Sequence, residues 1–218
     1  MIMRILFGVL VVWQSFAVSA QKQTMRDAFV NMPDSLMPGL SHNNRLDMID
    51  FMDSGMKSEV TNLFDGKSSM TVLDERYLKL KLNASVSVEM LLLADSAVAV
   101  RDSSDAYICM VTTYGTVPVE SKVVFYDYKW RKRTQECGII EDYMPELISR
   151  PDTMAADSFE SLKPLLAYMT VVAELSPEDN SMTLRAEFPL LSSSEREKAI
   201  SIVRKRQVNL SDRIQKNR

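Results

Sequence analysis

The sequence predicts an α+β fold: an antiparallel β-meander sheet with helices N-terminal to it and a C-terminal helix packed on it. Three observations carry this reading. From Ser69 onward apolar residues recur with period two, as strands with one buried face require. The links between these runs are short, and short links join antiparallel neighbours because parallel crossovers need a dozen or more residues. Helix-start signatures flank the alternating region on both sides.

The chain opens on an export leader. Arg4 supplies a positive n-region, residues 5–16 form an apolar run interrupted by Gln14, and Val18-Ser19-Ala20 is the small-residue pattern a signal peptidase cuts after. The run falls short of the roughly 20 residues a spanning helix needs, and no cysteine follows it to carry a lipid. The expectation is a signal peptide over 1–20 and an exported chain over 21–218, periplasmic or extracellular, with no transmembrane segment.

Thr24 followed by Asp27 resembles a capping box, with Ala28 and Phe29 facing inward on a short helix that Pro33 ends. Asp34, Pro38 and Gly39 mark a turn-rich passage. Asn44 is the expected N-cap of a helix over 45–54, stopped by Gly55. Leu78, Leu80 and Leu82 then alternate with Lys79 and Lys81, and Val86, Val88, Met90 and Leu92 continue the pattern past a turn at Asn83. Further strands are expected over 97–101, 105–114, 120–128 and 134–140.

Residues 143–163 lose the alternation and read as a connector with one or two helical turns. Strands return over 166–175 and 181–188, joined by the turn Pro177-Glu178-Asp179-Asn180. A final helix capped by Ser192 and Glu195 is expected to reach Arg206, with Ala199, Ile200 and Val203 inward and residues 209–218 frayed. One α+β domain over 21–218 is the simplest organisation, and 143 is the one place an internal division fits.

Composition narrows the function. Without residues 1–20 the chain has 198 residues, with 25 basic and 29 acidic side chains. A mildly acidic chain argues against nucleic-acid binding, which draws most of its affinity from neutralising phosphates. The six glycines are scattered, so no phosphate-cradling loop forms. Thirteen methionines beyond the leader suit a polarizable core or an adaptable surface. Cys109 and Cys137 invite a disulfide in an oxidising compartment. If 105–114, 120–128 and 134–140 are consecutive strands, however, the two lie on strands about 9.5 Å apart, beyond the roughly 7 Å that a disulfide tolerates. The bond then requires another strand order, and buried thiols are the alternative.

No catalytic apparatus stands out. His42 is the single histidine, no G-x-S-x-G elbow is present, and neither H-E-x-x-H nor paired cysteines suggest zinc. No cofactor is expected. Asp47, Asp50 and Asp53 recur at spacing three, which puts them on one helix face; they offer oxygen ligands to a hard cation or, more simply, a solvated acidic stripe.

The most specific feature is Val124, Tyr126, Tyr128 and Trp130, which share one strand face if the alternation holds. Exposed, these rings are a stacking platform for sugars or a hot-spot patch for a protein; buried, they are core. Lys129, Arg131, Lys132 and Arg133 add a basic hairpin tip that suits anionic partners. The candidate ligand-binding residues are therefore Tyr126, Tyr128 and Trp130 with Lys129, Arg131 and Arg133.

Met32-Pro33-Asp34-Ser35-Leu36-Met37-Pro38 and Asn44-Arg45-Leu46-Asp47-Met48-Ile49-Asp50 resemble the N-terminal signature of an uncharacterised family of secreted bacterial proteins of unknown function. The resemblance implies an envelope or secreted protein and transfers no site residues. The leading expectation is a non-enzymatic binding module with a protein or glycan partner. The alternatives are a carboxylate-dependent hydrolase of envelope or dietary polymers, recognisable by two acids about 5 Å or about 6.5–9.5 Å apart, and a structural or assembly protein of the cell envelope.

Overall fold

The computed structural model describes residues 23–94, 106–134 and 138–216. The expected leader, the strand expected over 97–101 and Cys137 lie outside the described residues. Helix α1 (Met25–Val30) starts where its cap predicts: Thr24 Oγ1 accepts the Asp27 N–H and donates to the Asp27 carboxylate. Helix α2 (His42–Asp53) starts earlier than the Asn44 cap implies. Ser41 is the N-cap, and Asn44 occupies the third helical position, where its side chain accepts the Ser41 N–H in return. This reciprocal box satisfies two orphan amides where Asn44 as sole cap would satisfy one.

Six strands follow as an antiparallel meander in chain order: β1 (Glu59–Thr61), β2 (Lys67–Leu73), β3 (Tyr77–Asn83), β4 (Val86–Ala94), β5 (Ala106–Tyr114) and β6 (Glu120–Asp127). Both faces of the central strands are covered. Val88, Met90, Leu92, Ile108 and Met110 pack under α1 and α2, while Leu91, Leu93, Cys109, Val111 and Phe125 face the opposite way into a second core. Double coverage explains why Met90-Leu91-Leu92-Leu93 and Ile108-Cys109-Met110-Val111 are continuous apolar runs within otherwise alternating strands.

Of the strand expected over 134–140, residues 135–137 lie outside the described residues, and residues 138–140 are not strand. Gly138, at φ +87°, leads instead into helix α3 (Ile139–Leu147). Ile139, Ile140, Tyr143, Met144 and Leu147 repeat at helical spacing, and all join or pack on the second core. Cys109 is buried in β5, and Cys137 lies outside the described residues.

Helix α4 (Ala156–Leu162) and a 3-10 segment, Lys163–Tyr168, precede β7 (Thr170–Leu175), which starts later than the expected 166. Next come β8 (Ser181–Glu187), helix α5 (Ser193–Ile200) with its Ser192/Glu195 capping box, β9 (Arg206–Asn209) and helix α6 (Leu210–Lys216). The C-terminal helix expected to reach Arg206 thus ends at Ile200, and β9 and α6 follow it. Ala199 and Ile202 are buried while Ile200 is exposed, and Leu210 and Ile214 anchor the tail in place of the expected fraying. Among the described residues no helix is long and apolar enough to cross a membrane.

Strands β7, β8 and β9 form a second antiparallel sheet. Its Val171, Leu184 and Val208 share a core with Leu91 and Phe125, so residues on both sides of 143 contribute to it. Strand β7 is an edge, and side chains of the first sheet close it. Glu89 Oε2 accepts the Leu175 N–H at 2.9 Å and Ser121 Oγ accepts the Ala173 N–H at 3.0 Å. Glu89 is buried and balanced by Lys79 across the strand pair, Nζ to Oε1 2.6 Å. The neighbouring Tyr77 hydroxyl is pushed well above its ordinary range by burial and by the Glu89 charge.

Candidate functional site

The aromatic stripe does not form a solvent platform. Strand β6 ends at Asp127, so the alternation that would align Tyr128 and Trp130 with Tyr126 stops there. Trp130, at φ +62°, turns back onto Tyr126 with ring centroids 5.4 Å apart and is 7% exposed. Its Nε1–H donates to the Ala28 carbonyl at 2.9 Å. The Tyr128 hydroxyl accepts the Thr24 N–H and donates to the Thr24 carbonyl, and burial raises its pKa. These two rings fasten α1 to the sheet, Trp130 within the core and Tyr128 packed against it, which is the core alternative and not the stacking platform.

The basic tip is likewise part of the fold. Asp127 is buried and accepts the Lys129 and Arg131 backbone N–H groups, each at 2.9 Å, and Arg131 Nε–H at 2.6 Å. Burial alone would raise its carboxyl, but these bonds outweigh it and hold the pKa below the ordinary value. Arg133 lies over the Tyr107 ring, 5.2 Å from the centroid. Lys129 and Lys132 remain exposed.

The acids do not converge. Asp47 and Asp50 are exposed on α2, and Asp53 is held by both terminal nitrogens of Arg26 on α1. Among the described residues no three His, Cys, Asp or Glu side chains are gathered to hold a metal ion. A shallow polar pocket at Asp179, Ser181, Gln207 and Ser211 contains a single carboxylate, and its side chains largely bond one another.

The concave feature with a distinct chemistry is a cleft of about 330 Å³ on the α1/α2 side of the first sheet, beyond the helices. Cross-strand partners tile its floor: Val86 with Tyr114, Val88 with Thr112 and Lys122, and Met110 with Val124. Tyr126 completes the floor and is the one residue of the proposed ligand set that lines this space. No carboxylate lines it, so the two-acid arrangement of a hydrolase is not built there.

Two walls come from distant sequence. One is the Leu36–Gly39 stretch, which buried Arg45 secures by donating to the carbonyls of Met32 (2.6 Å) and Leu40 (2.9 Å) and to the Asp34 carboxylate (2.8 Å). The other is Phe64 on the β1–β2 hairpin. Asn62 shapes that hairpin: its Oδ1 accepts the N–H groups of Phe64 and Gly66, and its Nδ2 donates to Ser68 and to the Leu82 carbonyl. Gly39 permits the walls to meet, since a Cβ there would sit 3.1 Å from the Phe64 ring. Local pattern missed every wall residue, because their relation exists only across the folded sheet.

In a meander the β1–β2, β3–β4 and β5–β6 turns fall at one end of the sheet. That end carries the exposed side chains of Leu63, Phe64, Tyr114 and Val117. Tyr128 and Trp130 follow the opposite end of β6, which is why the aromatic and basic run predicted as one surface stands apart from the mouth of the cleft.

Fold and cleft together define an α+β protein with two antiparallel sheets and an apolar, hydroxyl-edged recess on a sheet face. The chain belongs to the family of proteins of unknown function DUF3256, whose model matches residues 17–211. Among curated proteins nothing matches it. Its fold is similar to that of a domain of an uncharacterized protein from Porphyromonas gingivalis W83, with TM-score 0.60 and 18% identity over 84% of this chain and 90% of that one. At that identity the likeness concerns the fold alone.

Proposed function

We propose that this protein is an exported, non-enzymatic binding module whose cleft takes a small, largely apolar ligand. The observation carrying this reading is the floor of Val88, Met110, Val124 and Tyr126, walled by Phe64 and the Arg45-secured loop. Its volume lies at the small end of the roughly 300–1,000 Å³ usual for small-ligand sites, and its apolar lining with a few polar groups matches their chemistry. Export rests on the leader pattern of residues 4–20; the exported form should read from Gln21 on N-terminal sequencing, and a retained leader would overturn that part.

The cleft is tested by titrating decanol, a neutral apolar probe, while following backbone amide resonances. Saturable shifts are expected at Val88, Met110 and Val124, and Val124→Trp should abolish them by filling the floor. Shifts that survive Val124→Trp, or none that saturate, would remove the cleft as a ligand site.

A further inference from the structure

The floor of the cleft is graded in polarity along the strands. At the end carrying the β5–β6 turn lie Thr112, Tyr114 and Lys122; farther along β5 and β6 come Met110, Val124 and finally the buried ring of Tyr126. Lys122 is the only ionisable cation in the lining, it is exposed, and no acidic side chain among the described residues pairs with it. Glu120, two residues back on the same strand, is outside the lining. An uncompensated positive charge at one end of an otherwise apolar recess is complementary to a molecule with one negative group and one hydrocarbon chain. From Lys122 to Tyr126 the strand advances four residues, about 13 Å at about 3.3 Å per residue, which is room for a medium-length chain.

Resting on the cleft-binding reading above, we infer that the preferred ligand is a free single-chain anionic amphiphile of the fatty-carboxylate class. Its carboxylate meets the Lys122 ammonium and the Thr112 and Tyr114 hydroxyls, and its chain runs over Val88, Met110 and Val124 toward Tyr126. Charge-assisted hydrogen bonds from an ammonium are stronger than neutral ones, and the apolar chain supplies the area-dependent remainder.

The experiment compares three probes with one chain, decanoate, decanol and decyltrimethylammonium, by calorimetry and amide resonances on the purified protein and on Lys122→Gln and Lys122→Arg. Decanoate should bind more tightly than decanol and far more tightly than the cation. Lys122→Gln should weaken decanoate about three- to tenfold, the range of about 0.7–1.4 kcal/mol expected for one partly wet charge contact, and leave decanol unchanged, while Lys122→Arg retains decanoate. Equal affinity for the cation, or decanoate binding indifferent to Lys122→Gln, overturns the inference but leaves the apolar cleft standing. Failure of all three probes removes both. Binding of anionic phospholipid vesicles without binding of decanoate also overturns it, because the recognised species is then a lipid surface.

Discussion

Arg45 is 1% exposed, and its side chain is the strut behind one wall of the cleft. Arg45→Met keeps most of the stem's length and apolar character but withdraws the donors from the Met32 and Leu40 carbonyls. Each buried acceptor left without a donor costs about 1–3 kcal/mol, giving about 2–6 kcal/mol for the pair. The Asp34 contact adds little, because that carboxylate is 62% exposed and rehydrates. For a chain of this size about 2–4 °C of melting temperature accompanies each kcal/mol, so a fall of at least about 4 °C is expected. Urea unfolding followed by far-ultraviolet circular dichroism measures the loss, and the decanol titration should weaken in parallel as the Leu36–Gly39 wall loosens. Unchanged stability would refute the reasoning, since burying an apolar isostere can compensate for a lost buried charge. Lost stability with undiminished decanol binding would detach the strut from the cleft.

Two further outcomes follow from the turn after β6. Trp130→Phe preserves most of the buried ring but orphans the Ala28 carbonyl, for about 1–3 kcal/mol, whereas Trp130→Ala also empties the site, for about 3–5 kcal/mol; equal losses in urea unfolding would show that the indole N–H has no role in holding α1. Asp127→Ala should cost about 1–3 kcal/mol at neutral pH by releasing the Lys129 and Arg131 amides. Because the folded Asp127 carboxyl is held below its unfolded value of about 3.9, its contribution is complete above that value and fades as the pH falls through the lower folded one. The variant should therefore lose less stability than the parent between neutral pH and the region below pH 4, and parallel acid-unfolding curves would contradict this.

The strands were legible because Leu78, Leu80 and Leu82 alternate with lysines and because Pro177-Glu178-Asp179-Asn180 announces a turn. Capping residues likewise placed the starts of α1 and α5. Helix α3 was misread because its apolar repeat begins at Ile139, inside the stretch assigned to a strand, and only becomes helical when followed to Leu147. β9 and α6 are too short to show periodicity, and Val208, Leu210 and Ile214 are isolated in a polar tail until a sheet covers them. A charged Arg45 reads as surface, and nothing local says that two buried carbonyls and the Asp34 carboxylate await it. Of the ligand residues proposed from sequence, Tyr126 alone reaches the cleft, because the strand ends one residue beyond it and alternation cannot be carried farther.

The edge of β7 has one more consequence. Its open amides fall at Ala173 and Leu175, while those of the intervening residues are committed to β8, and the acceptors that meet them are side chains 52 and 86 residues away in sequence. A slip of one residue would present no free amide to Glu89 or Ser121. The meander therefore acts as a reading frame for the second sheet: Glu89 and Ser121 accept β7 only in alignments of one parity, with the amides of Ala173 and Leu175 turned toward them.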